Sequence, residues 1–451
     1  MIAPPSLFKG SKNVRLAYNL NMSTLRLPLF ALLFALGLAS AAPSNAPPVT
    51  FNKDVAPVLQ KNCQGCHRPG EAAPMSFLTY GETRPWAKAI RQAVLQKKMP
   101  PWLADPHFGK FSNDRSLTQK ETDVLLAWAE TGAREGDPAD LPKPAKFVDG
   151  WNIGEPDMVF EMPLDFNVPA SGTIDYQYIV VPTNLKEDRW IQMAEVRAGN
   201  RAVVHHVIAF VRTPGSKWFA GTEPGVPVTR QARGGEGGSG EFLVGYAPGT
   251  VPEVLEPGRA KLIKAGSDIV FQLHYTANGK AGVDRSKVGV IFAKEEPRER
   301  VLTIAASNNK FVIPAGDANY QVDSSFTFKA DGVVVGFLPH MHLRGKDFEY
   351  RVIYPTGEKE TLLRVPRYDF NWQLSYYPVT PIVMPKGTRI ECTAHFDNSA
   401  NNKSNPDPSK EVRWGDQSWE EMMIGFVDVA IDVKADPMSL FREKKPAGSD
   451  D

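Results

Sequence analysis

Cysteine is scarce. The chain has 3 in 451 residues, and two of them belong to one short motif. A disulfide framework is therefore excluded, and Cys392 is left alone. Histidine is nearly as rare, at 8 residues. Net charge is also missing: Lys+Arg is 52 and Asp+Glu is 51, a balance of +1. That balance gives no reason to expect nucleic acid or an acidic membrane as a partner. Long apolar runs are confined to the N-terminus, where Arg26 precedes a run from Leu27 to Leu38 and Ala39-Ser40-Ala41 follows in an A-x-A pattern. The run is too short for an ordinary membrane span. Residues 1–41 therefore read as an export signal with an N-terminal extension, in which Met22 is a second candidate start. The mature chain is expected in the periplasm, with no transmembrane segment.

Gly (36) and Pro (38) are plentiful, which favours short strands and many turns. A chain of this length holds two or three domains. From Met158 to Val433 the residues read as short strands, among them Tyr176–Val181, Val203–Val211, Asp268–Tyr275 and Val288–Phe292. No long amphipathic helix interrupts them, so antiparallel sandwiches are expected, dividing near Lys294-Glu295-Glu296-Pro297. Residues 213–259, rich in Gly and Pro, are expected to form long loops.

Residues 48–135 differ. Cys63-Gln64-Gly65-Cys66-His67 places two thiols at i and i+3 with an adjacent imidazole. Each thiol can form a thioether to a haem vinyl group, and His67 then meets the iron as axial ligand. A zinc site would need a second Cys pair, and a thioredoxin-like redox pair would need a strand before the motif and a long helix after it; both are absent. Met99, in Lys98-Met99-Pro100, is the expected sixth ligand, with Met75 as runner-up and His107 as a lesser candidate. Helices are expected over Phe51–Leu59, over Pro85–Leu95 with Trp86, Ile90 and Val94 on one face, and after a Thr118/Glu121 capping box, where Leu117, Val124, Leu125 and Trp128 form the buried stripe before Gly132 ends it. This order resembles small class I c-type cytochromes. Residues 136–156 read as a linker.

Five of the histidines form three clusters. Phe337-Leu338-Pro339-His340-Met341-His342-Leu343 follows a β-branched run. Residues i and i+2 of a strand share a face, so His340 and His342 present two imidazoles side by side, which suits a metal. His205-His206 lies inside Val203-Val204-His205-His206-Val207. In a regular strand these two face opposite ways; sharing a metal requires a twist, a bulge, or the other ring nitrogen. His274, in Phe271-Gln272-Leu273-His274-Tyr275, is the candidate third ligand. Near the C-terminus, the methionines of Glu421-Met422-Met423 read by themselves as core; because His340 and His342 need a third ligand, a Met here also offers a thioether, a soft ligand that favours Cu(I).

Taken in order, His-His, Gln-x-His-Tyr, His-x-His and Glu-Met resemble the type II copper, ascorbate-dependent monooxygenases, the family of the peptidylglycine α-hydroxylating and dopamine β-hydroxylating enzymes. The resemblance covers about residues 203–429 and includes Gly245-Tyr246-Ala247-Pro248-Gly249 and Val312-Ile313-Pro314-Ala315-Gly316. It implies two copper ions. One, for electron transfer, is held by His205, His206 and His274; the other, where O2 reacts, is held by His340, His342 and Met422. It implies two consecutive jelly-roll-like antiparallel sandwiches with an open cleft between them. Where the peptide-hydroxylating members carry a substrate-binding Arg, this chain has Leu338, and the family's Asn and Tyr after the Met are Ile424 and Phe426. A less polar pocket follows, and a glycine-extended peptide is an unsuitable substrate. The family's disulfides are missing. His395, near Cys392, reads as structural.

The expected fold class is thus multidomain: a small all-α cytochrome c module (48–135), a linker (136–156), two antiparallel β-sandwich domains (157–294 and 295–434), and a disordered tail (435–451). The expected function is an exported haem–copper monooxygenase that hydroxylates a C–H bond of a small organic substrate with O2. Electrons would come through one covalent c-type haem from an ascorbate-like reductant or redox protein. The competing reading is a non-enzymatic electron-transfer or copper-binding protein on the same scaffold.

Overall fold

A computed structural model describes residues 48–71, 73–148, 150–229 and 240–442. The expected export signal, Arg26 to Ala41, lies outside the described residues. The described residues form one compact unit.

Most of that unit is β-structure. Its largest sheet has nine strands, eight of them in the order Met158–Glu161, Lys287–Phe292, Arg189–Arg197, Arg259–Ile263, Glu299–Ser307, Ile424–Asp432, Gly332–His340 and Ile382–Met384, with Glu253–Val254 also paired to Arg189–Arg197. A four-stranded sheet, in the order Gln177–Pro182, Asp268–Tyr275, Val204–Arg212 and Glu241–Tyr246, covers one half of it. Alternating apolar residues such as Val207, Ala209, Phe271 and Leu273 meet Ile191, Val196, Val288 and Val290 between these layers. A second four-stranded sheet, in the order Tyr320–Thr327, Arg389–Phe396, Gly345–Ile353 and Lys359–Val365, covers the other half. There Phe348, Tyr350, Ile390 and Phe396 meet Ile304, Val334, Phe337 and Val429.

Two expectations about architecture are corrected. The sheets are not two separate sandwiches: the nine-stranded sheet runs through both halves, joined where Arg259 and Ala260 pair in parallel with Glu299 and Arg300. The joint is locked by Arg259–Glu299 at 2.6 Å, by Arg300 bridging both carboxylate oxygens of Glu241 at 2.7 Å, and by the buried Lys261–Glu253 pair at 2.6 Å.

Nor do residues 48–135 form a small all-α cytochrome module. Their helices are short: Ala56–Asn62, Tyr80–Thr83, Ala87–Leu95 and Gln119–Glu130. They enclose only a small cluster around Phe51, Leu59, Leu125 and Trp128. The segment between the last two helices leaves that cluster. Asp105 N–H donates to Arg364 O at 2.8 Å, Phe111 bridges to Pro378 and joins the core of the second half, and Trp102 packs on Tyr376. Apolar residues that would close a free-standing module are spent on the β-core instead. Local signals still hold inside the segment. Thr118 and Glu121 make both bonds of a capping box, Leu125 and Trp128 are buried, and Gly132 takes φ +94° just past the helix. Trp86, expected on the buried face, is 40% exposed.

The linker is tied down at both ends. Asn52 Nδ2 donates to Asp137 O at 3.0 Å, and Glu195 accepts from Asn152 N–H at 2.6 Å. Residues 435–442, expected in a disordered tail, include a 3-10 turn, Pro437–Leu440, whose Leu440 is fully buried. Among the described residues, no helix is long and apolar enough to cross a membrane.

Candidate metal centre

His205 and His206 do share one side of their strand, by the bulge that the sequence only permitted. Val204 pairs with Tyr275 and His206 with His274, and the register shifts between them. The extra residue, His205, turns onto the face that regular alternation would deny it. One nitrogen from each of His205, His206 and His274 lies within 4.8 Å of the others, a metal-sized group. Ring centroids stand 5.0 Å apart for His205–His274 and His206–His274.

Both ring nitrogens of His205 and of His206, and Nδ1 of His274, are buried without a hydrogen-bond partner. Such atoms are costly unless something satisfies them. Burial, reinforced by neighbouring imidazoles, holds His205 down to about 4 and His274 down to about 3, and pushes His206 well below its ordinary value. The rings are therefore neutral at pH 7, the state a metal requires. Three neutral imidazoles suit copper or zinc.

His340 ends the strand Gly332–His340, and His342 lies just beyond it. Two side chains orient them. His340 Nδ1 donates to Gln373 Oε1 at 2.7 Å, which leaves Nε2 for a metal. His342 Nδ1 donates to Glu420 O at 3.2 Å, while its Nε2 is buried and unpartnered. Burial holds His340 down to about 4 and His342 well below its ordinary value. Opposite, His340 pairs with Ile424 and Leu338 with Phe426. Glu421, fully buried, accepts from the backbone N–H groups of His342 (2.9 Å) and Arg344 (2.6 Å), fastening the Met422 segment to the His-x-His segment.

The two clusters meet. Phe370 stacks on His205 with centroids 4.7 Å apart and rings 16° from parallel, and stands edge-on to His342 at 5.9 Å. Ser418 Oγ lies 3.3 Å from His274 Nε2. Phe370 and Ser418 thus bring the two clusters together. Sequence reasoning missed Phe370, Gln373, Ser418, Glu421 and Tyr176. Tyr176 packs against His206 and His274 at 5.2 and 4.8 Å with its hydroxyl buried and unpartnered. Tyr176, Phe370, Gln373 and Ser418 belong to no motif and reach the centre from distant parts of the chain; a cue existed only for Glu421, beside Met422.

In the Cys63-x-x-Cys66-His67 stretch both thiols are free and half-buried. His67 Nδ1 lies 3.3 Å from Met75 O and its ring stacks on Phe77 at 4.2 Å. With Nδ1–H held by a backbone carbonyl, Nε2 is left for an axial bond, so the donor set fits a c-type haem. Met75 packs in the same cluster as Cys63, whereas Met99 opens the segment that leaves it. His107 is a surface residue bonded to Asp105 at 2.6 Å. Cys392 is fully buried in the second core, against the face that Gly425 leaves open, and its thiol is pushed up by burial. His395 bonds Asp347 at 2.7 Å on the outer sheet, away from both clusters.

No family model matches the chain, and no curated protein matches it. Among solved structures it is similar to PNGF-II in a C2 crystal, at 9% identity and a TM-score of 0.27, covering 61% of this chain and 65% of that one, just under two thirds of its length. It is also similar to the infectious bursal disease virus VP2 subviral particle (11% identity, TM-score 0.18, 66% of this chain and 77% of that one) and to PBCV-1 VP54 fitted into a reconstruction of the virophage Sputnik (8%, 0.22, 64% and 99%). Likenesses this slight assign the chain no family.

Proposed function

We propose that the chain is a copper-dependent monooxygenase that hydroxylates a C–H bond of a small, neutral, partly apolar molecule with O2. The observation that carries this reading is the bulge at His205: it gathers three neutral imidazoles with unpartnered nitrogens next to a second, separately oriented pair. When bound, copper supplies one-electron redox chemistry and the activation of O2. His205, His206 and His274 would hold one ion, and His340, His342 and Met422 the other. Gln373 keeps Nδ1 of His340 protonated and turns Nε2 to the metal. Leu338, Ile424 and Phe426 line the same face as His340. They keep water away from the reacting position and offer no cation to a substrate carboxylate, whose burial unpaired is costly.

Cys63 and Cys66 would attach a c-type haem with His67 as axial ligand, a proposal that rests on the local motif alone. Glu71 pairs with Arg201, four residues before His205. This ties the motif segment to the strand that carries the first cluster and supports electron entry at His205/His206/His274 before His340/His342/Met422.

The test is metal analysis of copper-loaded protein, followed by O2 uptake with ascorbate. Two coppers per chain are expected, with one weakened in Met422→Ile. Stoichiometric zinc, or no metal, after loading with both would sink the reading. Two coppers without O2 uptake would leave the electron-transfer or copper-binding protein.

A further inference from the structure

Residues 368–373, Tyr-Asp-Phe-Asn-Trp-Gln, form a single turn. The Asp369 carboxylate accepts from Asn371 N–H at 3.0 Å and from Asn371 Nδ2 at 2.8 Å, and Trp372 N–H closes on Asp369 O at 2.9 Å. This one turn touches the backbone between the two histidines and both of their rings. The Tyr368 hydroxyl donates to Met341 O at 2.8 Å and accepts from Met341 N–H at 3.1 Å, clamping the residue between the two histidines. Gln373 orients His340, and Phe370 stands against His342.

The same turn reaches the first cluster. Phe370 stacks on His205, and Trp372 lies over Gly249, where a Cβ would come within 3.0 Å of the indole. Gly249 takes φ +84°, so that loop is shaped to receive the indole. His205 needs such a support more than its neighbours do. It is the bulged residue, it lacks a hydrogen bond on either nitrogen, and it is the least buried of the three.

We infer that the 368–373 turn is a positioning element shared by both sites, with Phe370 holding the His205 ring from across the molecule while Tyr368 and Gln373 hold the His340/His342 side. The inference deepens the two-copper reading and rests on it for its copper arm. Phe370 touches no reacting atom; it acts through His205.

The first arm of the test needs no metal. Full-length, metal-free protein with labelled histidine has only 8 such residues to resolve. Wild type, Phe370→Leu and Phe370→Tyr are compared by NMR, with the His205 signal assigned from a His205→Asn variant. In Phe370→Leu the His205 ring protons should lose the ring-current shift of a stacked aromatic, and Phe370→Tyr should restore it. Identical His205 shifts in all three overturn the inference. The second arm loads copper. Phe370→Leu should keep two coppers by metal analysis yet change the Cu(II) EPR signal of the His205 site and slow electron transfer between the sites, with Phe370→Tyr close to wild type. An unchanged signal and unchanged rate, with both coppers present, also overturn it. If wild type takes up no copper, the monooxygenase reading fails while the NMR arm still decides the role of the turn.

Discussion

In the His205/His206/His274 cluster the ring nitrogens are nearly free of hydrogen-bond partners; among the described residues only Ser418 comes within reach, 3.3 Å from Nε2 of His274. In the His340/His342 pair each Nδ1 is taken by an acceptor, and the backbone between and after the two is bonded to Tyr368 and Glu421. The first cluster is shaped by strand register, the second by side chains drawn from elsewhere. A cluster set by register should keep its copper on loss of any one neighbouring side chain except a ligand, even though the His205 ring shifts without Phe370. A cluster held by side chains should weaken step by step as they are removed.

The largest break comes from the ligands. His206→Ala should cost the first cluster its copper and leave the second, and His342→Ala should do the reverse, each halving the metal count. A variant that loses both ions, or neither, would show that the clusters are not separate sites. Glu421→Ala comes next. It strips two buried N–H groups of their acceptor, at about 1–3 kcal/mol each, and leaves Arg344 buried beside a void. Denaturant unfolding should report that loss, while Glu421→Gln, which keeps one acceptor oxygen and turns an amide NH2 toward the other N–H, should recover only part of it; full recovery by glutamine would contradict the account.

Gln373→Leu removes the acceptor of His340 and should weaken copper at the second site roughly 10–100-fold, as read by chelator competition. Ser418→Ala, the nearest counterpart on the first cluster, should change affinity there much less. Equal effects would erase the distinction between register-shaped and side-chain-held sites.

Acid should act on both clusters together. The histidines are held below their ordinary value, near 6.5 in the unfolded chain. Above pH 6.5 both states are neutral and stability is unaffected. Below it the unfolded chain takes up protons that the buried rings refuse, until about pH 4, where His205 and His340 titrate in the folded protein. Metal-free protein should therefore lose stability from pH 6.5 down to 4. A thermal midpoint that is flat or rising over this window in metal-free protein would contradict the burial of the rings.

Much of the local structure was legible. The capping box at Thr118, the helix stop at Gly132 and the strand Asp268–Tyr275 follow from short-range chemistry that a neighbouring segment does not alter. The His-x-His pair was legible in kind, yet its strand stops at His340, and Glu421 and Tyr368, not strand periodicity, set His342. The small helical module was misjudged because periodicity reveals which face of a helix is apolar, not which surface covers it. Phe111 and Trp102 found a larger apolar partner in the second core than the short helices could offer.

What the sequence by itself determined is the inventory: which residues can bind metal, which segments are strands, and that one wall beside His340 is apolar. Only the tertiary structure decided how they combine. A bulge exists because two strands disagree in register, as Val204–Tyr275 and His206–His274 do here, and no single strand encodes that disagreement. The meeting of Phe370 with His205 joins residues 165 positions apart. It depends on a sheet that runs unbroken through both halves, held by the pairing of Arg259 and Ala260 with Glu299 and Arg300.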